Sequence, residues 1–280
     1  MKANIGIRAH DIEAENLQQL AAQVAAKGLS AIQLALAKSI STFSTSTGTL
    51  SPGYGQYVKS IFQQQDVHIA VLGCYINMIH PDLLERQQQL ERFKEHIRYA
   101  REFGCSVVGT ETGSVIPSLG YSEENFTEQS YAQVLKSVRE LVAEAEKFGV
   151  IVGIEGGINH PIHTPRRMKR LLEDVQSPNL QVIYDPANFI SIDNVHNQEV
   201  IIEEAIELFG DNIVIVHAKD FLIKNGEIVM VPVGTGQLNY DALFKQLKQR
   251  KPFVNILLEN TREPHIASSI QYLQHKYEEA

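Results

Sequence analysis

The chain has 280 residues, 44% hydrophobic and 21% charged, which is too apolar for a disordered polymer and long enough for one α/β barrel of ~250 residues. A net charge of −8, a pI near 5.7 and the lack of a Lys/Arg-rich block argue against a nucleic-acid partner, and no apolar run approaches the ~20 residues of a membrane helix. Cys74 and Cys105 cannot build a disulfide framework and no basic leader opens the chain, so the expected compartment is cytoplasmic.

In chain order, Asn4 to His10 reads as a strand and Glu13 to Lys27 as a helix with Leu17, Leu20, Ala21 and Val24 on one side, closed by Gly28. Ala31 to Leu36 is a second strand, followed by a Ser/Thr/Gly-rich loop from Ser39 to Gly55 and a helix from Tyr57 to Gln65. His68 to Ile76 is a third strand, apolar enough to be buried on both faces, and a long helix runs from Pro81-Asp82 through Phe103 to Gly104. Cys105 to Thr110 delivers Glu111. A polar loop from Gly113 to Gln129 then leads to a helix from Tyr131 to Phe148, ended by Gly149.

The alternation continues with strand Val150 to Glu155, helix Pro165 to Val175, strand Leu180 to Asp185, helix Gln198 to Phe209 and strand Asn212 to Lys219. Lys224-Asn225-Gly226-Glu227 marks a hairpin turn within Phe221 to Val233. Helix Asp241 to Arg250, strand Phe253 to Glu259 and a helix from Pro264 to about Tyr277 complete the pattern. Eight strand-helix units without a linker predict one (β/α)8 barrel domain over residues 1–280. The competing doubly wound sheet lacks its Gly-x-Gly-x-x-Gly after the first strand.

In such a barrel the C-terminal strand ends converge on one mouth, which makes neighbours of Glu155, Asp185, His217 and Glu259 from strands five to eight. Taken singly, each is as readily a helix cap or a turn residue, as Asp185 before Pro186 would be. Taken together, three clustered carboxylates repel unless a cation sits among them. Three carboxylates and one imidazole form an oxygen-rich set that suits Mn²⁺ first, then Mg²⁺ or Co²⁺, and accepts Zn²⁺.

The runs Ile-Glu155, Tyr-Asp185-Pro-Ala-Asn188, Val-His217-Ala-Lys219-Asp220, Pro232-Val-Gly234-Thr-Gly236 and Leu-Glu259 resemble the xylose-isomerase-like superfamily of sugar isomerases and epimerases. The resemblance implies a divalent metal held by Glu155, Asp185, His217 and Glu259. It also implies proton transfer by Glu155 and Glu259 next to the carbonyl of a small carbohydrate substrate. An inosose-type dehydratase and a non-catalytic sugar- or metal-binding barrel are the alternatives, and assembly into a homo-oligomer is left open. Endonuclease IV, also in this superfamily, needs an Asp-x-x-His where this chain has Asn188, and an Asp-x-His where it has Glu227-Ile-Val-Met-Val231. Ketohexose 3-epimerases generally carry His at the position of Asn188 and Arg at that of Ile223.

Candidate substrate contacts are His163, Asn188, Lys219, Asn77, His80 and Glu111, with His160 as a weaker one. Each has a plainer role: His80-Pro-Asp82 as a helix start, Glu111 paired with a loop cation, Lys219 paired with Asp220. The backbone N–H groups of Gly234 and Gly236 could hold an anion. Arg8 and His10 end the first strand with no role assigned.

Overall fold

The computed structural model describes residues 2–39 and 46–280. Among them, eight parallel strands close into a barrel: β1 (Asn4–Arg8), β2 (Ala31–Leu34), β3 (His68–Gly73), β4 (Val107–Glu111), β5 (Ile151–Glu155), β6 (Leu180–Tyr184), β7 (Ile213–Ala218) and β10 (Asn255–Leu258), with β10 pairing back onto β1. Two further strands, β8 (Asp220–Lys224) and β9 (Glu227–Val231), form an antiparallel hairpin turning at Asn225-Gly226, as the sequence predicts.

Helices wrap the barrel: α1 (Leu17–Ala26), α2 (Leu36–Ser39), α3 (Pro52–Gln63), α4 (Leu83–Tyr99), α5 (Glu128–Phe148), α6 (Pro165–Val175), α7 (Gln198–Phe209), α8 (Tyr240–Arg250) and α9 (Ile266–Glu279). Their starts follow capping chemistry: the side chains of Asn16, Ser51, Asp82, Thr127 and Thr164 each accept a backbone N–H from the first turn. The Ser51 cap and Pro52 begin α3 inside the stretch read as loop, since Pro at the first helical position costs no hydrogen bond. Residues 40–45 of that predicted loop lie outside the described residues. Gly149 ends α5 at φ 60°, where an L side chain is strained.

Strand alternation sorts each strand into residues facing the helices and residues facing the axis. Ala31, Val71, Val107, Ile183, Ile215 and Leu257 pack together as a small apolar cluster distinct from the main core. Glycines make room for the larger members. A Cβ on Gly109 would stand 2.6 Å from Ile183 Cδ1, one on Gly153 2.9 Å from Ile183 Cγ1, and one on Gly6 2.6 Å from Leu257 Cδ2. None of the helices among the described residues is long and apolar enough to cross a membrane.

Candidate metal centre

Two residues beyond this apolar floor, on the same strand faces, the character changes to polar. Gly153 is followed by Glu155, Ile183 by Asp185, Ile215 by His217 and Leu257 by Glu259, as a period of two requires. The four side chains are buried, and one ligand atom from each lies within 4.8 Å of the others. The remaining strands add Arg8, Gln33, Tyr75 and Glu111, so each barrel strand sends one polar side chain to this mouth.

His217 Nε2 donates to Gln33 Oε1 at 2.6 Å, and Gln33 Nε2 in turn donates to the Tyr75 hydroxyl. With the Nε2 proton committed there, Nδ1 faces Glu155 Oε1, 3.2 Å away, and Glu259 Oε2, 3.1 Å away. Gln33 stands beside a register irregularity between β2 and β3, a device that re-aims side chains at barrel rims. His217 Nδ1, Asp185 Oδ2 and Glu259 Oε2 are all buried without a hydrogen-bond partner. Buried polar atoms are rarely left so, and three converging on one point fit a bound cation. Ligand atoms on one ion with bonds of about 2.0–2.3 Å stand no more than ~4.6 Å apart, close to the spacing already present.

Lys219 places Nζ 2.7 Å from Asp185 Oδ2 and 3.0 Å from Glu259 Oε1; it also donates to Asn188 Oδ1 at 2.9 Å. Asn188 Nδ2 donates to Glu155 Oε1 at 2.8 Å, and Arg8 Nη1 to Glu259 Oε1 at 2.5 Å. Burial opposes the charge on Glu259, yet Lys219, His217 and Arg8 outweigh it and hold the carboxyl at about 2. At Asp185 burial wins: opposed by Lys219 and aided by Glu155 and Glu259, it lifts the carboxyl to about 6. The two share Lys219 and still diverge because Arg8 and the close His217 also act on Glu259, whereas Glu155 and Glu259 press on Asp185. Burial also opposes charge on His217, but Glu155 and Glu259 raise it above its ordinary value.

Glu111 pairs in register with Glu155 across β4 and β5, and burial together with Glu155 raises its carboxyl. His160 donates from Nδ1 to the Gly113 carbonyl at 2.9 Å and leaves Nε2 3.9 Å from Glu111 Oε2. The structure does not bring Asn77, His80 or His163 to the quartet. Asn77 is buried, with its amide oxygen accepting from Ser114 and Ile79 N–H and its amide nitrogen donating to the carbonyls of Ser114 and Ile116, so it ties loops together. His80 accepts from the Asp82 N–H at the start of α4, the helix-start role the sequence also allowed. His163 stacks on Phe126, with ring centroids 4.6 Å apart, and its Nδ1 donates to the Pro161 carbonyl at 3.1 Å.

Two further expectations change. Lys219 pairs with Asp185 and Glu259 rather than Asp220. The N–H groups of Gly234 and Gly236, considered as an anion cradle, both donate to Asp220 Oδ2 at 3.0 and 2.9 Å, so the protein's own carboxylate fills that cradle. Phe221 and Leu238 N–H donate to the other oxygen, Oδ1.

Sequence reasoning missed Gln33 and Tyr75 and left Arg8 unassigned. The signal was available: Gln33 is a lone amide within the apolar run Ala-Ile-Gln-Leu-Ala-Leu, and Arg8 and Tyr75 follow Gly6 and Gly73 by two, as the quartet residues follow their own inward residues.

A closed (β/α)8 barrel with an acid-imidazole quartet at its C-terminal mouth defines the structural class. Residues 14–276 match the xylose isomerase-like TIM barrel family, and the chain belongs to it. A solved D-tagatose 3-epimerase-like protein superposes with a TM-score of 0.72 at 20% identity, over 100% of this chain and 97% of its own. The IOLI protein, solved with a binding zinc atom, gives 0.71 at 17% identity over 100% and 96%. A probable 3-DHS dehydratase from Bacillus anthracis gives 0.73 at 13% identity over 98% of each chain. At these identities the likeness is one of fold. A comparison with curated proteins gives no significant match in sequence.

Proposed function

We propose that the protein is a divalent-metal-dependent isomerase or epimerase of a small sugar or sugar-derived carbonyl compound. The convergence of four buried ligand atoms, one each from Glu155, Asp185, His217 and Glu259, within 4.8 Å of one another carries this reading. Epimerases and a dehydratase on the same fold support the reaction class. We infer Mn²⁺ as the ion from the oxygen-rich donor set, with Mg²⁺, Co²⁺ and Zn²⁺ compatible with it.

When bound, the ion would polarise a carbonyl and offset the negative charge that develops as the neighbouring C–H is broken. Glu155 is the better placed of the two glutamates to take that proton, because the neutral amide of Asn188 donates to it at 2.8 Å with Lys219 at 3.9 Å, whereas Arg8 at 2.5 Å and Lys219 at 3.0 Å both engage Glu259. Glu259 is its partner for returning a proton. Lys219 presents a fixed ammonium where a substrate oxygen gains charge, and its contacts with Asp185 and Asn188 pre-organise it. Glu111 and His160 stand at the rim to receive hydroxyl groups.

Proton NMR of a panel of aldoses, ketoses and polyol ketones in D₂O with added Mn²⁺ tests the reading. Exchange of a C–H beside the carbonyl is expected, and Glu155→Gln should lower its rate by at least ~100-fold while elemental analysis still finds the metal. Tight sugar binding without exchange would sink the enzymatic reading, and loss of water in place of re-protonation would identify a dehydratase.

A further inference from the structure

Beside the quartet lies a cavity of about 370 Å³, within the ~300–1,000 Å³ range of small-molecule sites. It abuts the reacting end through Asn188, which bonds to both Glu155 and Lys219, and through Glu111. Its lining combines the polar groups of Glu111, His160 and Asn188 with aliphatic carbon from Ile190, Ile228 and Met230.

The aliphatic lining has a specific origin. In the β8-β9 hairpin Phe221 pairs with Met230 and Ile223 with Ile228, and alternation puts these four residues on one face. Ile228 and Met230 of this face line the cavity, and Lys224 and Glu227 on the other face are exposed. Ile190 follows from the Asp185-Pro-Ala-Asn188 turn, whose start holds a ligand. Met230 stays 41% exposed, so its side chain borders the cavity without being consumed by the core.

A sugar hydroxylated at every carbon would set hydroxyl groups against these aliphatic side chains, and a buried hydroxyl without a partner is penalised. We infer that the substrate carries an apolar tail beyond its reacting carbons, such as a terminal deoxy carbon, and that Ile228 and Met230 select it. The inference deepens the proposed function and rests on it for where the reacting end lies.

Calorimetric binding of a 2-ketohexose and its 6-deoxy counterpart to the full-length protein, with D₂O exchange read on the same samples, tests this. The deoxy sugar is expected to bind about tenfold more tightly, and the double variant Ile228→Gln, Met230→Gln to cut that ratio to about threefold or less by weakening the deoxy sugar. Unfolding temperatures of wild type and variant register any loss of fold, and the single variant Met230→Gln, at an exposed position, gives the same readout if the double variant unfolds. Equal binding of the two sugars, a ratio unmoved by the hairpin changes, or binding of neither sugar overturns the inference. Exchange without preference removes the apolar tail and leaves the isomerase reading, whereas preference without exchange removes the isomerase reading and leaves the tail.

Discussion

Gln33 accepts a hydrogen bond from Nε2 of His217 across 184 residues of chain and thereby decides which imidazole nitrogen faces the carboxylates. Neither residue is exposed to solvent, so no water can replace the partner if the amide is lost.

Gln33→Leu should therefore weaken divalent-metal affinity by about 10- to 100-fold, the usual effect of removing the group that orients a metal-binding histidine. Titration calorimetry with Mn²⁺ measures it. An unchanged affinity would mean that His217 needs no orienting partner.

Lys219 balances three carboxylates at close range, so Lys219→Met should destabilise the metal-free protein by roughly 3 kcal/mol, the cost of leaving a buried charge unpaired. Added metal should restore more stability to the variant than it adds to the wild type. Thermal unfolding with and without Mn²⁺ reads this difference, and equal metal-induced shifts would contradict it.

The carboxylates raise the folded-state pKa of His217 above its ordinary 6.5. In the metal-free protein the stabilisation from charged His217 is complete below pH 6.5 and is lost as pH rises through that raised value. Metal binding requires the neutral imidazole and so carries the opposite sign: affinity climbs with pH through the same window and flattens above it. Dissociation constants at pH 6, 7, 8 and 9 trace the curve, and a pH-independent constant would remove His217 from the ligand set.

Burial pushes the thiols of Cys74 and Cys105 up to about 12 and about 11. Both should resist a thiol-specific disulfide reagent at pH 8 in the native state and react fully after denaturation. Rapid reaction of either in the native protein would show that its packing opens readily.

Much of this was legible in the chain because the governing periods are short. Apolar runs and Gly149 mark elements locally, although the Thr127 cap starts α5 inside the stretch read as loop, and the two-residue alternation that buries Ile183 and Ile215 also delivers Asp185 and His217. What stayed hidden is what long-range geometry decides. Nothing near Asn77 indicates that its amide will bridge a loop 37 residues away, and nothing near Gly234 indicates that Asp220 will turn back to meet it. Extending the strand-end rule to all eight strands would have found Arg8, Gln33 and Tyr75, whereas the hairpin's place beside the cavity comes only from the folded chain.

The glycine floor couples the core to the chemistry. Gly153 leaves space that Ile183 fills, and Asp185 stands two residues farther along the same strand face. A single added methyl at position 153 would push the Ile183 side chain aside, two residues from Asp185, although it would touch none of the quartet. Interior and mouth thus work as a lever with a short arm, and this barrel cannot be repacked for heat resistance at its floor without also detuning what sits above it.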